Sequence, residues 1–201
     1  MKTLILGMGN TLLSDDGIGI ITKRYLEKNL GSNNNIDFSE TSWGGFKIID
    51  LLKGYDYTII IDSIKTGLKP AGFINCLKPS DLLPTLRLTS YHDINFITAI
   101  KLAEQLGAKI ASDIDIFAIE IEDNETIRES LNPMLIDSIT ECSKKITELL
   151  ISHNIIPKRP AEEYLSRINS SVQIEELYYE ELELENSVSE NNTKQLEQYQ
   201  V

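Results

Sequence analysis

The sequence predicts an α/β protein: a three-layer α/β/α sandwich in which helices cover both faces of a mostly parallel, twisted five-stranded sheet. Three observations carry this expectation. Apolar, β-branched runs of strand length recur along the chain, segments of helical character separate them, and a glycine-rich turn joins the first run to the first helix. The first strand is read at 2–7 on the apolar run that ends at Leu6, and a helix follows at 17–29 behind the acids Asp15 and Asp16, which suit the positive end of its dipole. A second strand lies near 35–40. Behind the turn Thr41-Ser42-Trp43-Gly44-Gly45 comes a short helix at 45–53. The run Tyr57-Thr58-Ile59-Ile60-Ile61 is apolar enough for a central parallel strand, read at 56–62. A fourth strand falls near 71–78. Ile94, Ile97, Ile100, Leu102, Ala103 and Leu106 form the stripe of an amphipathic helix at 93–106. The last strand is Asp115 to Ile121 within 114–121, and Leu131-Asn132-Pro133 leads into a final helix at 133–152. The stretch Ser80 to Tyr91 lacks periodicity and reads as a flap.

With 201 residues and 41% hydrophobic content, the chain suits one domain with one substantial core. No apolar run reaches the roughly 18 to 20 residues of a membrane span, and the N-terminus lacks a basic region followed by an apolar signal core, so a cytoplasmic protein without membrane attachment is expected. Cys76 and Cys142 are the only cysteines, which excludes a disulfide framework or a thiolate zinc site, and both read as buried, inert thiols. The net charge of −12 is uneven. Residues 161–201 hold ten Glu against Arg167 and Lys194, a net of −8, leaving −4 for residues 1–160. We therefore divide the chain into an α/β domain at 1–160 and an acidic tail at 161–201. Within the tail, Val172–Leu184 has amphipathic helical character and the polar remainder reads as disordered. The negative charge argues against nucleic acid as a partner.

Chemistry concentrates at Gly7-Met8-Gly9-Asn10-Thr11-Leu12-Leu13-Ser14-Asp15-Asp16-Gly17-Ile18-Gly19. Gly7 and Gly9 permit a tight turn or close approach to a ligand. A dinucleotide fingerprint would need glycine where Leu12 stands, a phosphate loop would need Gly-Lys-Ser/Thr, and two acids would repel a phosphate; this leaves nucleotide binding a minor alternative. Ser14, Asp15 or Asp16 acting only as a helix cap is the other reading. Asp62 changes the balance, because it closes a central strand and ligands of open α/β sheets sit beyond the carboxyl ends of the strands. Asp16 and Asp62 can then face one crevice. Only two histidines exist. His153 near the end of the last core helix reads as locally satisfied, whereas His92 lies at a loop-to-helix junction that suits a site. Two carboxylates and an imidazole make a mixed oxygen and nitrogen set, compatible with divalent nickel or zinc and unlike an oxygen-only calcium cage.

These residues resemble the hydrogenase maturation protease family. The family pattern of a first strand, Gly-x-Gly-Asn, a Leu-rich stretch, an acidic pair and Gly-x-Gly is matched by Gly7 through Gly19, and the resemblance extends over about residues 1–155. It implies a phosphorylase/hydrolase-like fold and three metal-binding residues: an acid in the first loop, an Asp ending the third strand and a His before a helix, which map to Asp16, Asp62 and His92. Some members carry Glu at the first position. The turn with Trp43 and the pair Glu122-Asp123, where the family often has Gln-Pro, depart from the pattern. The resemblance further implies an endopeptidase that removes a carboxyl-terminal peptide from the nickel-loaded precursor of the [NiFe] hydrogenase large subunit. Its nickel is that of the substrate, with zinc or cadmium substituting in vitro. No Gly-x-Ser-x-Gly elbow or His-Glu-x-x-His helix is present, so hydrolysis of an aspartic or metal-assisted kind is expected, with Asp15 as base or orienter. The alternative is a non-proteolytic, metal-binding maturation chaperone or scaffold.

Overall fold

The computed structural model describes residues 1–42, 47–81, 100, 103, 105–168 and 174–178. Its sheet contains β1 (Thr3–Met8), β2 (Ile36–Thr41), β3 (Tyr57–Ile64), β4 (Ile74–Leu77) and β5 (Asp113–Glu120), in the order β2-β1-β3-β5-β4. Every pairing is parallel except that of β4 with β5. The helices are α1 (Ile18–Leu30), α2 (Lys47–Leu52), α3 (Ile136–Ser152) and α4 (Lys158–Ile168), with short 3-10 turns at Ser14–Gly17, Pro79–Asp81, Pro133–Leu135 and Ile174–Tyr178. Residues 43–46, the flap from residue 82, His92 and most of the helix expected at 93–106 lie outside the described residues; of that helix, Ile100, Ala103 and Gln105 are described as helical.

Alternation along the strands divides the core into two layers. Ile5, Ile59, Ile61, Phe117 and Ile119 face α1 and α3, while Leu4, Leu6, Ile60, Ile64 and Ile116 pack with Ile48, Leu52 and Ile100 on the other side. This is the three-layer α/β/α arrangement. β3 is buried at all eight positions, which accounts for its run of β-branched apolar residues at Ile59–Ile61 and leaves Thr58, Asp62 and Ser63 as buried polar groups.

β3 runs further than the expected 56–62. Its pairing with β1 stops at Gly7↔Ile61, but pairing with β5 continues through Asp62↔Ala118 and Ser63↔Ile119 to Ile64↔Glu120. Asp62 and Ser63 are therefore held in a strand on the β5 side, beyond the last pairing with β1. The edge position of β4 corrects the expectation for Cys76. Paired only with β5, this strand is half-exposed, and Cys76 is exposed rather than buried. Cys142, within α3, is fully buried as expected, and burial pushes its thiol well above the ordinary range.

Residues 158–168 and 174–178 belong to the packed structure. α4 runs across residue 160, with Pro160 in its first turn, where a missing backbone N–H is tolerated. Ile168 and Leu177 join the α1–α3 layer, and the hydroxyl of Tyr25 donates to the carbonyl of Ile168 at 2.6 Å. Among the described residues no helix is long and apolar enough to cross a membrane.

Candidate active site

The loop after β1 folds onto itself before it meets anything else. Gly9 has φ of 137°, a conformation that L side chains rarely adopt, and a Cβ there would lie 2.0 Å from the carbonyl oxygen of Asp16. The glycine thus permits close approach of the chain's own backbone. Asn10 Oδ1 accepts from the N–H of Leu12 at 3.0 Å, stabilising the turn. Gly19 performs a second close approach: a Cβ there would meet the carbonyls of Met8 and Ile61 at 2.2 and 2.4 Å, so α1 begins in direct contact with β1 and β3.

Ser14, Asp15 and Asp16 are all buried, and neither their 3-10 turn nor α1 has a side-chain cap. The capping reading is therefore replaced by longer-range contacts. Asp15, 1% exposed, accepts from the backbone N–H of Asn132 through Oδ1 at 2.8 Å and from that of Asp123 through Oδ2 at 3.2 Å; its own N–H donates to the carbonyl of Asp123. Ser14 sits at φ of 45°, in the left-handed region, and is held there because its N–H donates to the carbonyl of Arg128 while Arg128 Nη2 donates to its Oγ at 2.7 Å. Residues 12–15 are thus stapled to 123–132. Asp123 is itself fixed in a turn, where first the backbone N–H of Thr126 and then that of Glu125 hold its carboxyl down to about 2.

Asp16, 4% exposed, turns to the sheet, where Ser63 Oγ donates to its Oδ1 at 2.8 Å. Among the described residues no Lys or Arg pairs with Asp16. Asp62, 5% exposed, accepts from the backbone N–H of Ser63 through Oδ1 at 2.8 Å. The two acids expected to share a site therefore meet the same serine. Because neighbouring strand residues point to opposite faces, Ser63 reaches Asp16 on the α1 side while Asp62 belongs with Ile60 and Ile64 on the other. No group of three or more His, Cys, Asp and Glu is assembled for a metal among the described residues; His92, the third expected ligand, lies outside them.

A cavity of about 370 Å³ opens beside this loop between Asn10–Leu12, Ile20 and Arg24 of α1 and Glu40 of β2. Neither Asp16 nor Asp62 lines it. On its wall, Glu40 accepts from Arg24 Nε at 3.0 Å and from Arg24 Nη2, and pairs with Lys23 at 2.8 Å. Burial alone would raise the Glu40 carboxyl, but hydrogen bonds and charge from Arg24 and Lys23 outweigh it and hold it at about 2. Arg24 Nη1 also donates to the carbonyl of Leu177 at 2.7 Å, linking the cavity wall to the C-terminal segment.

His153 ends α3 against the ring of Tyr57, centroids 4.9 Å apart, at the opposite end of β3 from Asp62. Its imidazole packs on Tyr57, away from the acidic loop. Sequence reading missed Ser63, Glu120 and the 123–132 partners of the loop. Glu120 closes β5 and accepts from the N–H groups of Thr66 and Gly67 at 2.6 and 2.7 Å, fixing the chain as it leaves β3. An acid ending a buried strand was the available signal for Glu120; nothing local marks Ser63 or Asn132.

A family model described as "Hydrogenase maturation protease" matches residues 20–149, a span that starts after the acidic loop and includes Asp62 and His92. The chain is 24% identical over 162 residues to the hydrogenase expression/formation protein HupD of Thiocapsa roseopersicina, covering 79% of this chain and 72% of that protein. Among solved structures, the hydrogenase maturating endopeptidase HybD from E. coli superposes with a TM-score of 0.64 at 19% identity, covering 76% of this chain and 94% of that one. The [NiFe] hydrogenase maturation protease HybD from Thermococcus kodakarensis gives 0.57 at 21% identity, with 74% and 99% covered. These structural likenesses establish the fold, and the family match spans most of the chain. The protein belongs to the hydrogenase maturation protease family.

Proposed function

We propose that this protein is a cytoplasmic, metal-dependent endopeptidase that removes a carboxyl-terminal peptide from the nickel-loaded precursor of the [NiFe] hydrogenase large subunit. The observation that carries the metal role is Asp16: a carboxylate 4% exposed, held by one neutral hydroxyl and without a cationic partner among the described residues. A buried carboxylate in that state favours a cation beside it. Asp16, Asp62 and His92 would hold the substrate's nickel, a donor set of hard oxygens and one imidazole that suits it. Nickel so held would draw electron density from the scissile carbonyl. Asp16 and Asp62 would hold the cation, and Asp15 orients the loop by receiving N–H groups from Asp123 and Asn132. Both cysteines lie away from the loop, Cys76 on β4 and Cys142 within α3, so neither supports an acyl-enzyme route.

The test is intact mass of nickel-loaded and nickel-free precursor before and after incubation. Loss of a carboxyl-terminal peptide from the loaded form alone supports the proposal. An unchanged mass in a stable complex would assign the protein to a non-proteolytic, metal-binding scaffold. Asp16→Ala, Asp62→Ala and His92→Ala should each abolish processing with the fold intact; full activity in any one removes that residue from the site.

A further inference from the structure

Ser63 is hydrogen-bonded to both carboxylates of the proposed site. Its hydroxyl donates to Asp16 Oδ1 and its backbone N–H donates to Asp62 Oδ1, each at 2.8 Å, and its side chain is nine-tenths buried or more at 2% exposure for the residue. An ionised carboxylate only accepts, so the hydroxyl proton of Ser63 must point at Asp16. That fixes which oxygen of Asp16 is occupied. The rotamer of Asp16 otherwise has no side-chain partner among the described residues, and the backbone of its loop is positioned independently through Gly9, Asp15 and Arg128.

We propose that Ser63 is a positioning residue for cation recognition: by occupying Oδ1 of Asp16 it sets the orientation of that carboxylate, and so sets how strongly the protein discriminates a nickel-bearing precursor from an empty one. The inference rests on the metal role proposed above. Strand geometry gives it its form. Only at this point does β3 stay paired with β5 after losing β1, so a side chain on the α1 face can reach the loop from a rigid strand. Hydroxyl and carboxylate partners that orient metal ligands from outside the coordination shell are typically worth 10- to 100-fold in metal affinity.

The experiment measures the dissociation constants of nickel-loaded and nickel-free precursor for the full chain, for Ser63→Ala, Ser63→Thr and Asp16→Ala, together with urea unfolding of each. The unsubstituted chain and Ser63→Thr, which keeps the hydroxyl, are expected to prefer the loaded precursor. Ser63→Ala should lose at least about 10-fold of that preference with affinity for the empty precursor unchanged. A merely structural serine would lower the urea midpoint and weaken both precursors equally, which overturns the inference. So does full preference in Ser63→Ala. Absence of any preference in the unsubstituted chain would instead overturn the metal reading itself, and Asp16→Ala retaining the preference would remove Asp16 from it.

Discussion

Asp15 separates two roles that a sequence cannot distinguish, base and orienter, and the structure attaches a magnitude to each. Its two oxygens receive backbone N–H groups from Asn132 and Asp123 at 2.8 and 3.2 Å, with a longer contact of 3.4 Å from Ser14 Oγ. A hydrogen bond to a charged acceptor contributes about 1.5–3 kcal/mol, and a buried donor left without a partner costs about 1–3 kcal/mol. Asp15→Ala strands two backbone donors, one of them at the longer distance and partly solvated, so a loss of about 3 kcal/mol is expected. Asp15→Asn keeps one acceptor oxygen but turns an NH₂ group toward a second donor. It should lose about 1–2 kcal/mol, on the order of one charge-assisted bond. Urea unfolding at constant m-value measures both, and the single-turnover cleavage rate is read on the same preparations. If Asp15 orients the loop, Asp15→Asn loses stability in this range while keeping most of its cleavage rate. A variant as stable as the parent with cleavage abolished would refute this reasoning and make Asp15 the base.

Three further outcomes are expected. The carboxyl of Glu40 lies at about 2 when folded against an ordinary 4.5, so its ionised form stabilises the fold above pH 4.5, and that contribution, about 3 kcal/mol from the difference, is lost as pH falls from about 4.5 to about 2. Glu40→Gln should therefore be less stable near neutrality and converge with the parent toward pH 2 in denaturant titrations across pH; parallel curves would contradict the ion pairing with Arg24 and Lys23. Gly9→Ala places a methyl 2.0 Å from the Asp16 carbonyl at a φ of 137°, and should lower stability by about 3 kcal/mol with cleavage reduced further than that of a comparably destabilised core variant. A chain ending after Pro160 loses Ile168 and Leu177, each at most 1% exposed and worth about 1.5–3 kcal/mol, and should melt well below the full chain, whereas one ending after Tyr178 should melt with it.

The parts of this molecule that sequence made legible are those governed by local periodicity. The run at 57–61, Thr58 among apolar residues, reads as a central strand and is buried throughout, and the rule that ligands gather beyond strand carboxyl ends makes Asp16 and Asp62 the candidates proposed for the site. What stayed hidden depends on pairings more than a hundred residues apart. Asp15 meets Asn132 across 117 positions, Ser14 meets Arg128 across 114, and no spacing rule links them. The C-terminal boundary misled for another reason. Charge accumulates after residue 160, and Pro160 resembles a helix breaker, yet proline in a first turn breaks nothing and one apolar residue per few turns suffices to seat Ile168 and Leu177 on α1. Cys76 shows the converse: an apolar neighbourhood in sequence does not imply burial when the strand lies at an edge.

The adjacent acids of the first loop show how one fold assigns two chemistries to the same side chain. Both are buried, so both must offset the loss of water around a negative charge. Asp15 does so chiefly with backbone N–H groups, dipoles fixed by the loops that carry them, with the longer contact from Ser14 Oγ beside them. Asp16 has, among the described residues, one side-chain donor, the hydroxyl of Ser63, at the end of β3 that extends beyond β1. Arg24 and Lys23 are near in sequence, but Glu40 engages both, so the positive charge of α1 is directed to the cavity wall and not to Asp16. On the metal role proposed above, Asp16 would meet a substrate's cation while the ion network of Glu40 is engaged at the cavity wall. On this argument Glu40 has a remote influence on the site. Its removal takes one carboxylate from Arg24 and from Lys23, the latter still paired with Glu27 at 2.9 Å, and weaker preference for a nickel-bearing precursor in Glu40→Gln, beyond any loss explained by stability, is the consequence that binding measurements on the two precursor forms can check.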